Sequence, residues 1–263
     1  MKPNTAGAML VLSAVLGTVD GALAQGGTRV IKGTVVDSAN NKTVSQAIIY
    51  VGRSTTGERT AKDGTFSVSV AEGPPLLLMV RRPGYVPTLV VVPEGTAGTE
   101  TDLGTTQIRQ LKSDADRAAA QEADVKMYPE LARFYDHKAR HPQGVFLTPD
   151  DLQRTGGTLV TIIRQKPGFH FICFVNRKGE WDCGQQSNRG PTSITRPGVP
   201  SAEQEPCLLE VWTNGPEPHR TLDHVMVDEL LAVEAYPNPG VTPPIFTGSP
   251  CAAIMLWLKQ TGP

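Results

Sequence analysis

With 263 residues, 39% of them hydrophobic and 19% charged, the chain is long enough for two modest cores rather than one large one. Its formal net charge of -1 leaves no basic field. Nucleic-acid binding needs clustered Lys and Arg to release counterions from phosphates, so no nucleic-acid partner is expected.

The first 24 residues read as a secretory signal peptide. Lys2 is the charged head, an apolar stretch runs from Ala8 to Val19, and Ala22-Leu23-Ala24 is a small-x-small cleavage site before Gln25. Gly17 and Asp20 break the apolar run, which argues against a membrane anchor, and no cysteine follows the cleavage point to carry a lipid. Downstream, no window approaches the ~20 apolar residues of a membrane helix, so the mature chain is expected to be exported without a transmembrane segment. Periplasmic, outer-membrane-associated and secreted locations all fit.

Residues 28–111 alternate in period two. Ile31, Gly33 and Val35 oppose Lys32, Thr34 and Val36, and the turn-forming DSANNK comes next. QAIIYVG, TAKDGTFSVSV, LLLMVRRPGY and VPTLVVV continue the pattern, separated by Gly, Pro and polar loops. Short strands without a helical period predict an all-β sandwich that closes its own core. The order I-x-G-T-V-x-D, A-x-x-x-V-G, T-x-x-D-G-x-F-S-V-x-V and V-R-x-P-G-Y resembles the carboxypeptidase regulatory-like domain, a transthyretin-like sandwich. The resemblance implies that Asp63-Gly64 forms a hairpin turn and that Phe66 and Tyr85 are core aromatics. It also implies a non-catalytic accessory that lends stability, spacing or a binding face, with a glycan as a conceivable ligand through related carbohydrate-binding folds.

Residues 112–143 form a helical connector. Ser113 is placed to cap DADRAAAQEADVKMY, and Pro129 restarts the helix as PELARFYDHKARH. Leu131, Phe134 and Tyr135 share a face that docks on the domain formed by residues 144–259. His137 and His141 have the i, i+4 spacing of a metal pair, but Lys138, Arg140 and Pro142 surround them and no third ligand is near in sequence, so a solvated face is expected.

Residues 144–259 mix helices and strands. Thr148 and Pro149 open one helix, and Thr158 opens another whose Leu159, Ile162 and Ile163 form an apolar face ended by Pro167-Gly168. A hairpin FICFV-NRKGE-WDC comes after it, then a long Pro/Ser/Gly-rich loop at roughly 185–206. The segments 207–215, 222–240 and 248–259 each contain a short apolar run, expected as three strands. The order L-T-x-x-D, T-L-x-x-I-I-R-x-x-P-G, D-E-L-x-x-V-E-A-Y and G-S-x-C-A-x-I-x-x-W resembles the plug domain of TonB-dependent outer-membrane receptors. Asn214-Gly215 stands where that family usually has Asp-Gly, and Cys251-Ala252 where it often has Gly-Gly. The chain ends within a few residues of the last plug-like strand, so a plug without a barrel is expected, one that does not transport by itself.

Cys173, Cys183, Cys207 and Cys251 make an even count in an exported chain, which favours disulfides. Three connectivities exist. The hairpin bracketed by Cys173 and Cys183 favours that pair, leaving Cys207 with Cys251 at the heads of two strands. Zinc is the alternative, but its CxxC spacing is absent.

Nucleophile elbows, P-loops, dinucleotide fingerprints and HExxH are all missing, and no cofactor is implied. Glu217, His219, Asp223, His224 and Asp228 cluster in sequence, but a turn and helix start with exposed polar residues is the simpler account. Trp181, Trp212 and Trp257 could stack on a sugar if exposed, although Trp212 and Trp257 end apolar strands and are expected to pack in the core or at a sheet edge. The expectation is therefore a two-domain protein, an N-terminal all-β sandwich and a C-terminal α+β plug-like domain. It is read as a non-enzymatic envelope module that binds an unidentified protein or glycan. A carbohydrate-binding protein is the alternative, and a metal-dependent hydrolase using His219 and His224 comes third.

Overall fold

The computed structural model describes residues 27–54, 56–169, 171–175, 179, 181–185, 209–213, 222, 225–237, 240–246 and 252–259, with the backbone alone described at 171–175, 181–185, 209–210 and 252. Seven strands come first: β1 (Thr28–Asp37), β2 (Ile48–Val51), β3 (Gly57–Arg59), β4 (Thr65–Ala71), β5 (Leu76–Arg81), β6 (Thr88–Val92) and β7 (Glu100–Ile108). They form two sheets, ordered β4-β1-β7 and β3-β2-β5-β6. The period-two pattern sends Ile31, Val35, Phe66, Val68 and Ile108 of the first sheet and Ile49, Leu78 and Val80 of the second into one apolar core. The N-terminal part is thus a β-sandwich. β7 runs parallel to β1, a pairing that period-two alternation cannot reveal.

Gly64 sits in the expected turn with φ of 79°, and a Cβ there would lie 2.7 Å from the Val35 carbonyl oxygen. Asp63 Oδ1 secures the turn by accepting from Thr65 N–H at 3.1 Å and Thr65 Oγ1 at 2.7 Å. Phe66 is in the core as expected. Tyr85 is only half-buried at its rim, because its hydroxyl donates to Asp37 Oδ2 at 3.0 Å. The Ala39 N–H and the Gln110 amide also donate to that buried carboxylate and, Ala39 first, hold it below the usual range.

The second sheet is covered on its outer face too. α1 (Asp114–Met127) and α2 (Leu131–Arg140) lay Met127, Leu131, Phe134 and Tyr135 against Ile48, Tyr50 and Met79 in a second core. Ser113 and Asp116 form the capping box that starts α1. Across this contact Arg81 donates to Asp124, both buried, and Tyr135 Oη donates to the other Asp124 oxygen at 2.6 Å. Residues 28–111 therefore close their inner core as expected, but the outer face of their second sheet is completed by later residues.

The last part is built on β8 (Val145–Leu147), β11 (Leu209–Thr213), β12 (Leu230–Tyr236) and β13 (Ala252–Leu258), in the order β11-β13-β12-β8. The three expected strands are present, and β8 joins them as an edge strand too short to stand out in sequence. Ala232, Tyr236, Ala253, Met255 and Trp257 face the core shared with α2. The alternate residues Val233, Ala235, Ile254 and Leu256 face α3 (Pro149–Thr155) and α4 (Leu159–Arg164). Burial on both faces explains why these strands read as continuous apolar runs. Thr148 caps α3 in a full capping box, whereas Thr158 does not cap α4; its hydroxyl meets that of Thr161 at 2.9 Å. β9 (Phe171–Val175) and β10 (Trp181–Gln185) form the expected hairpin, with Cys173 opposite Cys183 in register. Cys207, Cys251, Asn214, Gly215 and the 186–206 part of the loop lie outside the described residues. Among the described residues no helix is long and apolar enough to cross a membrane.

Candidate functional site

The helices cover only part of the sandwich's outer face. Beside them a cleft of about 1030 Å³ opens between β2, β3 and the end of β5 on one side and α3, the turn at Val227–Glu229 and the end of β13 on the other. Tyr50, Arg59 and Arg82 line the sandwich wall, and Gln153, Asp228, Glu229 and Lys259 the opposite wall, over a floor of Ile48, Leu152 and Leu231. Gln153 donates from Nε2 to Tyr50 Oη at 3.1 Å, while its buried Oε1 has no hydrogen-bond partner among the described residues. Lys259 Nζ lies 5.5 Å from the centre of the Tyr50 ring, and burial pulls its ammonium below the usual value. Tyr128, also on the wall, is pushed up to about 12 by burial and stays a neutral phenol.

Such a cleft can grip a polar ligand. It offers charges of both signs at its rim and, deeper, a carbonyl oxygen that lacks a donor. An unsatisfied buried acceptor costs about 1–3 kcal/mol, so a ligand N–H or O–H placed there is favoured. None of the described lining residues forms a nucleophile–base pair, and among the described residues no three His, Cys, Asp or Glu side chains converge as metal ligands.

A second polar cluster lies under α2. Glu234, mid-strand in β12 and 0% exposed, accepts from Trp257 Nε1 at 2.8 Å, from Tyr236 Oη at 2.7 Å and from His137 Nδ1 at 2.9 Å. These donors offset the cost of burying a carboxylate. The expectation of a solvated His137 fails for this reason: its side chain is 12% exposed and turned onto the sheet. His141 is half-buried, with its ring 6.2 Å from that of His137 and 6.3 Å from that of Tyr236.

The other sequence candidates separate. Trp212 and Trp257 are 5% and 2% exposed, in the core as expected and closed to sugar stacking. Asp228 is exposed on the cleft rim. The Trp181 side chain and residues Glu217, His219, Asp223 and His224 lie outside the described part of the chain. Sequence reasoning missed Glu234, although a lone acid inside LLAVEAY was its signal. It also missed the cleft, whose walls come from segments far apart in sequence, such as Tyr50 and Gln153.

No protein-family model matches the chain, and no curated protein matches it. Solved structures match over about a third of its length. A 3-chlorocatechol 1,2-dioxygenase from Rhodococcus opacus is 10% identical over 33% of this chain and 61% of its own, with a TM-score of 0.26. The major pilin subunit of Bacillus cereus is 13% identical over 32% and 31%, with a TM-score of 0.27. The backbone protein of the group B streptococcus pilus 2b is 14% identical over 31% and 40%, with a TM-score of 0.25. This chain spans less than two thirds of each, and likenesses at this level carry no argument about activity.

Proposed function

We propose that the chain is a non-enzymatic, exported protein of the cell envelope whose cleft takes a ligand or a segment of a partner. The observation that carries the reading is the cleft itself. Its volume of about 1030 Å³ is at the upper end of ligand sites, and it combines an apolar floor with convergent polar groups, among them a Gln153 oxygen without a partner among the described residues. Export rests on the signal-peptide pattern of residues 1–24. The resemblance of residues 28–111 to a carboxypeptidase regulatory-like module and of residues 144–259 to a receptor plug supports an accessory role at the envelope rather than catalysis.

The test uses the mature chain and an Arg59→Glu/Gln153→Ala variant that alters opposite walls of the cleft. Each is immobilised against detergent-solubilised envelope extract and titrated calorimetrically with envelope oligosaccharides. A species retained by the native chain and lost by the variant is the expected result. Heat from an oligosaccharide that the variant abolishes would move the assignment to the glycan-binding alternative. Retention or heat that the variant leaves unchanged, or neither with the native chain, overturns the cleft as the site.

A further inference from the structure

We propose that His137 and His141 form a binding site for a late first-row divalent cation, Zn²⁺, Cu²⁺ or Ni²⁺, with Glu234 positioning the first imidazole. The i, i+4 spacing puts the two rings one turn apart on one face of α2, where their centroids are 6.2 Å apart and their planes nearly perpendicular, at 80°. Spacing alone is common on helices. What sets this pair apart is the carboxylate behind it.

Glu234 accepts from His137 Nδ1 at 2.9 Å and 3.1 Å. In the neutral ring the hydrogen is then on Nδ1, which leaves the Nε2 lone pair for a metal. A carboxylate on the far nitrogen is the arrangement that orients metal-binding imidazoles and raises their basicity. Here the carboxylate is itself locked, by Trp257 and Tyr236, so the ring is held by a rigid acceptor. His141 is free to adjust, being half-buried and at the C-cap of α2.

Distances agree with this. Imidazole nitrogens bind such ions at about 2.0–2.1 Å, so two rings on one tetrahedral ion have centroids ~5.2 Å apart. A shift of ~1 Å in His141 closes the site. The negative end of the helix dipole favours a cation here, and of the basic residues in the last turn Arg140 is paired with Asp136 at 2.9 Å. Since no third His, Cys, Asp or Glu converges among the described residues, water or a ligand donor fills the remaining positions. The site is thus open and exchangeable rather than a structural closed one, and imidazole ligands select zinc, copper or nickel over magnesium or calcium.

The test is calorimetric titration of the untagged mature chain with Zn²⁺ and with Cu²⁺, paired with electron paramagnetic resonance of the copper form. One equivalent should bind, with nitrogen couplings from two imidazoles. His141→Ala, a change at a half-buried helix end that leaves the fold intact, should weaken binding at least tenfold and remove one coupling. Glu234→Gln, checked for retained circular dichroism, should weaken it about 10–100-fold. No binding by the native chain, or an equivalent bound equally well by His141→Ala, as an ion on His170, His219 or His224 would be, overturns the site. Unchanged affinity in a folded Glu234→Gln overturns the positioning role.

Discussion

Replacing Asp124 by Ala should cost a large fraction of the whole protein's stability. The Arg81 and Asp124 side chains are each 4% exposed, and the contact joins β5 of the sandwich to α1. Burial lowers the Arg81 guanidinium from a value so high that it stays charged, so removing the carboxylate strands a cation between two cores. Breaking one partner out of a buried pair costs about 3–5 kcal/mol. Tyr135 also loses the acceptor of its 2.6 Å bond, and leaving a buried donor unmatched adds about 1–3 kcal/mol. The sum is comparable with the ~5–15 kcal/mol that holds a typical domain together.

Urea titration of the native chain, Asp124→Ala, and Arg81→Met/Asp124→Leu decides this. The single variant should lose about 4 kcal/mol or more or fail to fold, whereas the double variant should recover most of the loss, since a well-packed apolar pair often replaces a buried ion pair at no net cost. A loss below about 1 kcal/mol in Asp124→Ala would refute the reasoning. So would a double variant as weak as the single one, because the damage would then come from lost shape and not from an uncompensated charge.

Non-reduced peptide mapping should find Cys173 joined to Cys183 and Cys207 to Cys251; β11 and β13 are parallel neighbours with Leu209 opposite Ala252, and each cysteine of the second pair stands one or two residues before these in sequence. The chain-entropy model gives ~3 kcal/mol for the short loop and ~4 kcal/mol for the long one, so Cys207→Ala should lower the urea midpoint more than Cys183→Ala, and a Cys183–Cys207 crosslink sinks the pairing. Acid should loosen α1: the Ser113 hydroxyl, then the Ser113 and Lys112 N–H groups, hold the Asp116 carboxyl at about 2. A depressed carboxylate stabilises the fold fully above its unfolded value of ~3.9 and loses that contribution as pH falls through about 2, so Asp116→Asn should flatten the urea midpoint between about pH 4 and pH 2. An equally steep decline in that variant contradicts the assignment.

Local chemistry was legible in the sequence, and long-range pairing was not. Ser113 and Thr148 announce their helices because a capping side chain acts within three residues, and Asp63-Gly64 announces its turn because only the local backbone needs the positive φ. Ile48, Tyr50 and Met79 illustrate the opposite case. Their strands read as sandwich strands, but whether their second face meets water or helices depends on residues 127–135, and nothing in a strand of four or six residues encodes that. His137 failed for a related reason. Its neighbours in sequence are charged, while the group that decides its environment is Glu234, 97 residues away.

Two buried carboxylates, Asp124 and Glu234, together explain why the connector holds one orientation. Tyr135 and His137 are two residues apart on α2, which is about 200° around the helix axis. The first reaches Asp124 on α1 and the second reaches Glu234 on β12, so the helix is gripped from nearly opposite sides. Apolar contacts of Leu131 and Phe134 are non-directional and would tolerate a small rotation or slide. Hydrogen bonds to buried carboxylates do not, because a slip takes the α2 donor away from a charged acceptor, and a hydrogen bond to a charged group is worth about 1.5–3 kcal/mol. Polar groups of this kind contribute little net stability but fix register, the role best attested for buried polar residues. In this chain the register they fix is that of the sandwich against the C-terminal sheet, and the walls of the cleft are the facing edges of those two units.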